Sequence, residues 1–162
     1  IGGLSMGGFG SIVNALRNPD TFGYVCALSS ALIKEGILHS VNELGRDFFT
    51  RRQYETLFGV EKVEDYAGSE NDYEALADGL KDAPNKPKIY MACGTEDGLF
   101  PANVAFRDKL IADGFDVTWE EGPGAHNWAF WDAYIEKALN WLPLSDAVKG
   151  VSSENVGVTD KK

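Results

Sequence analysis

Apolar residues recur along this chain in two rhythms. Residues 9–17, FGSIVNALR, carry Ile12, Val13 and Leu16 at helical spacing, and Asn18-Pro19 marks a stop. YVCALSS at 24–30 and KIYMACG at 88–94 are short, nearly continuous apolar runs, so both predict buried strands. FDVTWEE at 115–121 alternates and predicts a third strand nearer an edge. Between the last two, PANVAFRDKLIADG predicts a helix that Pro101 opens and Gly114 closes, with Phe106 and Leu110 on one face. WAFWDAYIEKALNWL predicts a final helix with Trp128, Trp131, Ile135, Leu139 and Leu142 on one stripe. Asp132, Glu136 and Asn140 point the other way, and Pro143 ends it. Strand and helix alternating through short joints is the pattern of an α/β protein, a parallel sheet covered by helices.

Residues 31–80 break that rhythm. They mix aromatic and charged residues without one sustained period, which predicts an insertion of short helices and loops between two core strands. A plain helical crossover is the alternative. As a cap, the insertion would line a pocket with some of Phe48, Phe49, Tyr54 and Phe58. We therefore expect residues 1–143 to form one domain portion and residues 144–162, poor in large apolar side chains, to form a tail.

Composition narrows the function classes. At 162 residues, 44% hydrophobic and 12% aromatic, the chain can bury a substantial core. Its formal charge of −10 argues against nucleic acid or an anionic membrane as partner. No apolar run approaches a membrane span. Cys26 and Cys93 both lie in apolar runs and read as buried free thiols, with a disulfide or a catalytic cysteine as the alternatives. His39 and His126 are the only histidines and neither sits in a ligand-spaced cluster, so no metal is expected; no organic cofactor is expected either. The first residue is not Met, so we expect the true N-terminus upstream; the cytoplasm is the expected compartment, with a secretory leader left open.

Chemistry enters at Gly3-Leu4-Ser5-Met6-Gly7, a match to G-x-S-x-G. In that pattern a strand turns sharply into a helix with the serine at the apex, and the flanking glycines permit the close approach. A helix cap or a phosphate loop could use the same residues. A serine hydroxyl needs a base within hydrogen-bond reach and a carboxylate to orient that base, in the chain order serine, acid, histidine. The strand at 88–94 breaks at Gly94 into a turn holding Glu96 and Asp97. Asp97 is the candidate acid because Gly98 suits a tight loop, and Glu96 is the alternative. After the third strand, EGPGAHNWAFW presents His126 just before a helix. Ser5, Asp97 and His126 thus follow the required order.

GLSMGGFG, CGTEDGLFPAN and GAHNWAFWDAYIEKALNWLP resemble the corresponding segments of the esterase D-like branch of the α/β-hydrolases, most nearly its bacterial tributyrin esterase group. The likeness runs to about Pro143. It implies a mostly parallel sheet between helices, with Ser5 as nucleophile, Asp97 as orienting acid and His126 as general base. The Met6 amide would serve the oxyanion hole, and Leu99 and Trp128 would face substrate. It also implies a small-molecule acyl ester as substrate, and about a hundred further residues ahead of the elbow. Those would supply the first strands, most of the elbow strand and the second oxyanion donor. On that reading the chain is the C-terminal part of an enzyme. It would be weakly active or inactive alone, and prone to self-association at exposed sheet edges. Feruloyl or acetylxylan esterase, S-formylglutathione hydrolase, an acyltransferase and a non-catalytic carbohydrate-binding homologue remain as alternatives.

Overall fold

The computed structural model describes residues 1–38 and 50–144. His39, Phe48 and Phe49, and the tail after Leu144, lie outside the described residues. Four parallel strands stand in the order β1-β2-β3-β4: Gly2–Leu4, Tyr24–Leu28, Lys88–Gly94 and Val117–Gly122. Gly2 and the first two residues of the Gly3–Gly7 stretch form a short elbow strand, three residues long. Gly2, Gly3 and Leu4 pair with Cys26, Ala27 and Leu28, and the Ile1 carbonyl accepts from Cys26 N–H.

Alternation along the strands sorts the core into two layers. Val25, Ala27, Ile89 and Met91 face α1 (Met6–Arg17) and α5 (Phe100–Ala112), meeting Ile12, Leu16, Phe106 and Leu110. Cys26, Leu28, Tyr90 and Ala92 face α6 (Trp128–Trp141) on the other side. Both cysteines are free and buried.

Between β2 and β3 the described residues form α2 (Lys34–Leu38), α3 (Arg51–Phe58), a 3-10 turn at Val63–Tyr66 and α4 (Tyr73–Leu80). A capping box at Thr50 and Gln53 starts α3, and the Asp72 carboxylate caps α4 by accepting from the N–H groups of Glu74 and Ala75. Tyr54 and Phe58, expected to line a pocket, instead join the main core. Phe58 meets Phe9 and Tyr66 edge to face. Through Phe9 the Phe58 ring packs on α1, and Tyr54 stacks on Phe58 behind it.

The apolar stripe expected on α6 is corrected by the structure. Phe130, Trp131, Tyr134 and Ala138 are the residues that turn to the sheet, whereas Trp128, Ile135 and Leu139 are exposed. The sheet selects this phase because Ala138 allows close approach and Phe130 stacks on Tyr134 with ring centroids 4.0 Å apart.

Candidate active site

Ser5 sits at the turn from β1 into α1 with φ 54° and ψ −120°, in the left-handed half of the backbone map that L side chains rarely adopt. Its N–H donates to the Leu28 carbonyl, and its own carbonyl accepts from the N–H groups of Phe9 and Ala31. The flanking glycines are unequal. A Cβ at Gly3 would lie 2.5 Å from the Gly7 backbone, whereas one at Gly7 would meet open space. Gly8 matters more than the motif implies, since a Cβ there would lie 2.5 Å from Ser30 Oγ.

Ser5 Oγ lies 2.9 Å from His126 Nε2, and His126 Nδ1 lies 2.8 Å from Asp97 Oδ2. The three side chains, 121 residues apart along the chain at their extremes, meet at the C-terminal edge of the sheet. Asp97 follows β3, and its side chain is only 1% exposed against 36% for His126. Its second oxygen accepts from Leu99 N–H at 2.9 Å, so both carboxylate oxygens are held. Glu96 is exposed and contributes its backbone N–H to the Gly124 carbonyl. That bond, and Thr95 N–H to the Gly122 carbonyl, tie the acid loop to the loop carrying His126. The two loops touch so closely that a Cβ at Gly94 would collide with the Gly124 carbonyl. Trp131 packs edge-on to the imidazole at 4.8 Å, and Asn127 caps α6 just beyond it.

With Nδ1–H donating to Asp97, Nε2 is left to accept the serine proton, the tautomer that base catalysis requires. Met6 opens α1, and the first N–H groups of a helix have no partner within it, so its amide is available to an oxyanion. Trp128 is 72% exposed and stands edge-on to Trp131. Leu99 is half-buried against the main core, and its amide serves Asp97. Burial first, and the Asp97 charge after it, push the Cys93 thiol up to about 12, and the side chain is fully buried in β3. Among the described residues no group of three His, Cys, Asp or Glu could hold a metal ion. No described helix is long and apolar enough to cross a membrane.

A family model described as "Putative esterase" matches residues 1–142. The chain belongs to this esterase family. One relative within reach is an acetyl esterase from Caldicellulosiruptor saccharolyticus, 39% identical over 143 residues, covering 88% of this chain and 53% of that one. Among solved structures, the fluorophosphonate-binding serine hydrolase F (FphF) of Staphylococcus aureus superposes with a TM-score of 0.70 at 30% identity. The match covers 87% of this chain and 52% of that one. S-formylglutathione hydrolase (FrmB) from the same organism follows at 0.63 and 29%, over 87% and 49%. The esterase-family chain therefore spans about half the length of the relatives it matches. Its parallel sheet between helices is of the α/β-hydrolase type.

The acid and histidine loops were readable from the sequence as strand ends running into glycines. Asn103, which bonds to both the Leu99 and Ser30 backbone, was not singled out. An asparagine at a helical position carries no pattern of its own.

Proposed function

We propose that the polypeptide carrying this chain is a serine carboxylic-ester hydrolase acting on short-chain acyl esters of small molecules. The observation that carries the reading is the unbroken relay from Asp97 Oδ2 through His126 to Ser5 Oγ, with both contacts under 3 Å. His126 Nε2 takes the proton as Ser5 Oγ attacks the ester carbonyl, and Asp97 holds the imidazole and balances the charge it gains. The Met6 amide donates to the oxyanion. Collapse of the tetrahedral species expels the alcohol, which leaves with the proton from His126. Water, deprotonated by the same imidazole, then attacks the acyl-Ser5 ester and releases the acid.

The substrate class is supported by kinship with an acetyl esterase and, more loosely, by the sequence likeness to tributyrin esterases. Trp128, exposed beside the His126 ring cluster, is assigned to the substrate side of the site, whereas Leu99, expected there too, packs its side chain against the main core and serves Asp97 through its amide. The full-length polypeptide should label with a fluorophosphonate and hydrolyse acetyl and butyryl esters faster than feruloyl esters or S-formylglutathione. Ser5→Ala should abolish labelling and lower kcat by about a million-fold. Equal labelling of that variant would refute the assignment, and a preference for the thioester would move the substrate class to the S-formylglutathione hydrolases.

A further inference from the structure

Hydrogen bonds leave Ser5 from both its ends and meet again. From the side chain they run through His126 to Asp97. From the backbone, the Ser5 carbonyl accepts from Ala31 N–H at 2.9 Å. The neighbouring Ser30 is clamped by one side chain: its N–H donates to Asn103 Oδ1 at 3.1 Å, and its carbonyl accepts from Asn103 Nδ2 at 2.8 Å. The same Nδ2 donates to the Leu99 carbonyl at 2.9 Å, and Leu99 N–H donates to Asp97 Oδ1 at 2.9 Å. The circuit thus closes as Ser5, Ala31, Ser30, Asn103, Leu99, Asp97, His126 and Ser5 again. Apart from the three candidate catalytic residues, Asn103 is its one side-chain member.

The Ser29–Ala31 turn is the seat on which the elbow rests. Ser29 holds φ 43°, a conformation that persists only where its surroundings over-determine it. Ser29 N–H is anchored to the Ala92 carbonyl at 2.7 Å, and Ser30 fills the space that Gly8 leaves. Asn103 is completely buried and supplies one acceptor and two donors from a single plane, a set that neither Asp nor Leu can offer. We infer that Asn103 is a positioning residue, setting the separation of the Asp97 carboxylate from the Ser5 elbow through Leu99 and Ser30. This rests on the catalytic reading of Ser5, His126 and Asp97; Asn103 itself touches no reacting atom.

The test uses the full-length polypeptide with Asn103→Ala and Asn103→Asp. The downfield NMR resonance of the His126 Nδ1 proton reports its bond to Asp97 without turnover, and should shift or broaden in both variants. With a short acyl ester, kcat should fall about 100-fold, the scale of an ångström-size misplacement, while KM changes less than about threefold. In an Asp97→Asn background, Asn103→Ala should add no further loss, because both act on one coupling. An unchanged resonance and kcat per folded molecule, with only a lower unfolding temperature, would overturn the inference. So would failure of both variants to fold, which would make Asn103 a stability residue. A wild type that shows the resonance but neither labels nor turns over sinks the esterase reading, and the resonance comparison then decides Asn103 alone.

Discussion

At Ser5 the chain accepts a backbone conformation of a kind that costs about 1–3 kcal/mol, and five local features hold it there. Three are backbone hydrogen bonds to Leu28, Phe9 and Ala31, and two are the missing side chains of Gly3 and Gly8. The strain aims Oγ at His126 instead of letting it cap α1, and indeed no side-chain capping bond is made. Asp97 contributes geometry as much as charge. Asp97→Asn keeps the shape and the bond from Leu99 N–H, but its amide can donate to Nδ1 and stabilise the wrong imidazole tautomer. We expect kcat to fall by about 10,000-fold with the fold intact, measured by ester turnover beside circular dichroism. A loss below about tenfold would show that Asp97 does not orient the base. At this scale the meeting of the three candidate residues was legible wherever a residue type is scarce or a turn demands it. His126 had one rival in the chain, and Asp97 was separated from Glu96 by the loop that Gly98 permits. Asn103 was hidden because its value lies in backbone groups remote in sequence, 73 residues away at Ser30.

Among the elements, the stretch between β2 and β3 is tied together by an ion pair from the start of α2 to the cap of α4. Lys34 at the start of α2 donates to both oxygens of Asp72 at 2.9 Å and to Glu74 at 2.8 Å. Burial alone would raise the Asp72 carboxyl, but hydrogen bonds from Gly68 N–H, Lys34 and Ala75 N–H outweigh it and hold the group below its ordinary value. Burial likewise works against the Lys34 ammonium, and Glu74 and Asp72 together turn its shift upward. A depressed carboxyl adds stability above about pH 4 that is lost as pH falls through its folded value. A raised ammonium adds stability below about pH 10 that is lost as pH rises through its own. The pair therefore supports the fold across the neutral range and fails first in acid. Asp72→Asn should lower stability at pH 7 by about 3 kcal/mol, the lower end for a broken buried pair, because Glu74 still holds Lys34. Urea midpoints of variant and wild type should converge as pH falls through the depressed folded value of Asp72, where the wild-type carboxyl becomes as neutral as the amide that replaces it; a constant gap at every pH would assign the loss to packing. None of this pairing was readable from residues 31–80, where the charges outnumber the period that could have sorted them. The phase of α6 failed for the opposite reason. Trp128, Phe130, Trp131, Tyr134, Ile135, Leu139, Trp141 and Leu142 surround most of the helix, so periodicity alone cannot choose the face that Ala138 brings to the sheet.

On the scale of the whole molecule, apolar side chains line a cavity where β1 meets α6. β1 pairs with β2 alone, leaving its other edge unpaired among the described residues. Beside it a cavity of about 200 Å³ is lined by Gly2, Gly3, Leu4, Trp128, Trp131 and Ile135, among others. Ile1 is exposed next to Gly2 in the chain, and Leu139, one helical turn beyond Ile135 on α6, is exposed as well. An unpaired edge beside such a patch is a template for another strand. Opposing this is the formal charge of −10, which repels like chains at long range but is screened beyond about 8 Å at physiological salt. Burying one such side chain gains about 1.5–3 kcal/mol, so an interface that buries several on each copy favours contact, against a repulsion that salt screens. The 162-residue chain expressed by itself should therefore associate, and more strongly as salt rises, when followed by light scattering after size exclusion. Ile135→Lys with Leu139→Lys places charges on the patch without touching Ser5, Asp97 or His126, and should return the chain to a monomer. Association that weakens with salt would point to ion pairs such as Lys137 with Glu120 exchanging between copies, and would contradict the apolar account.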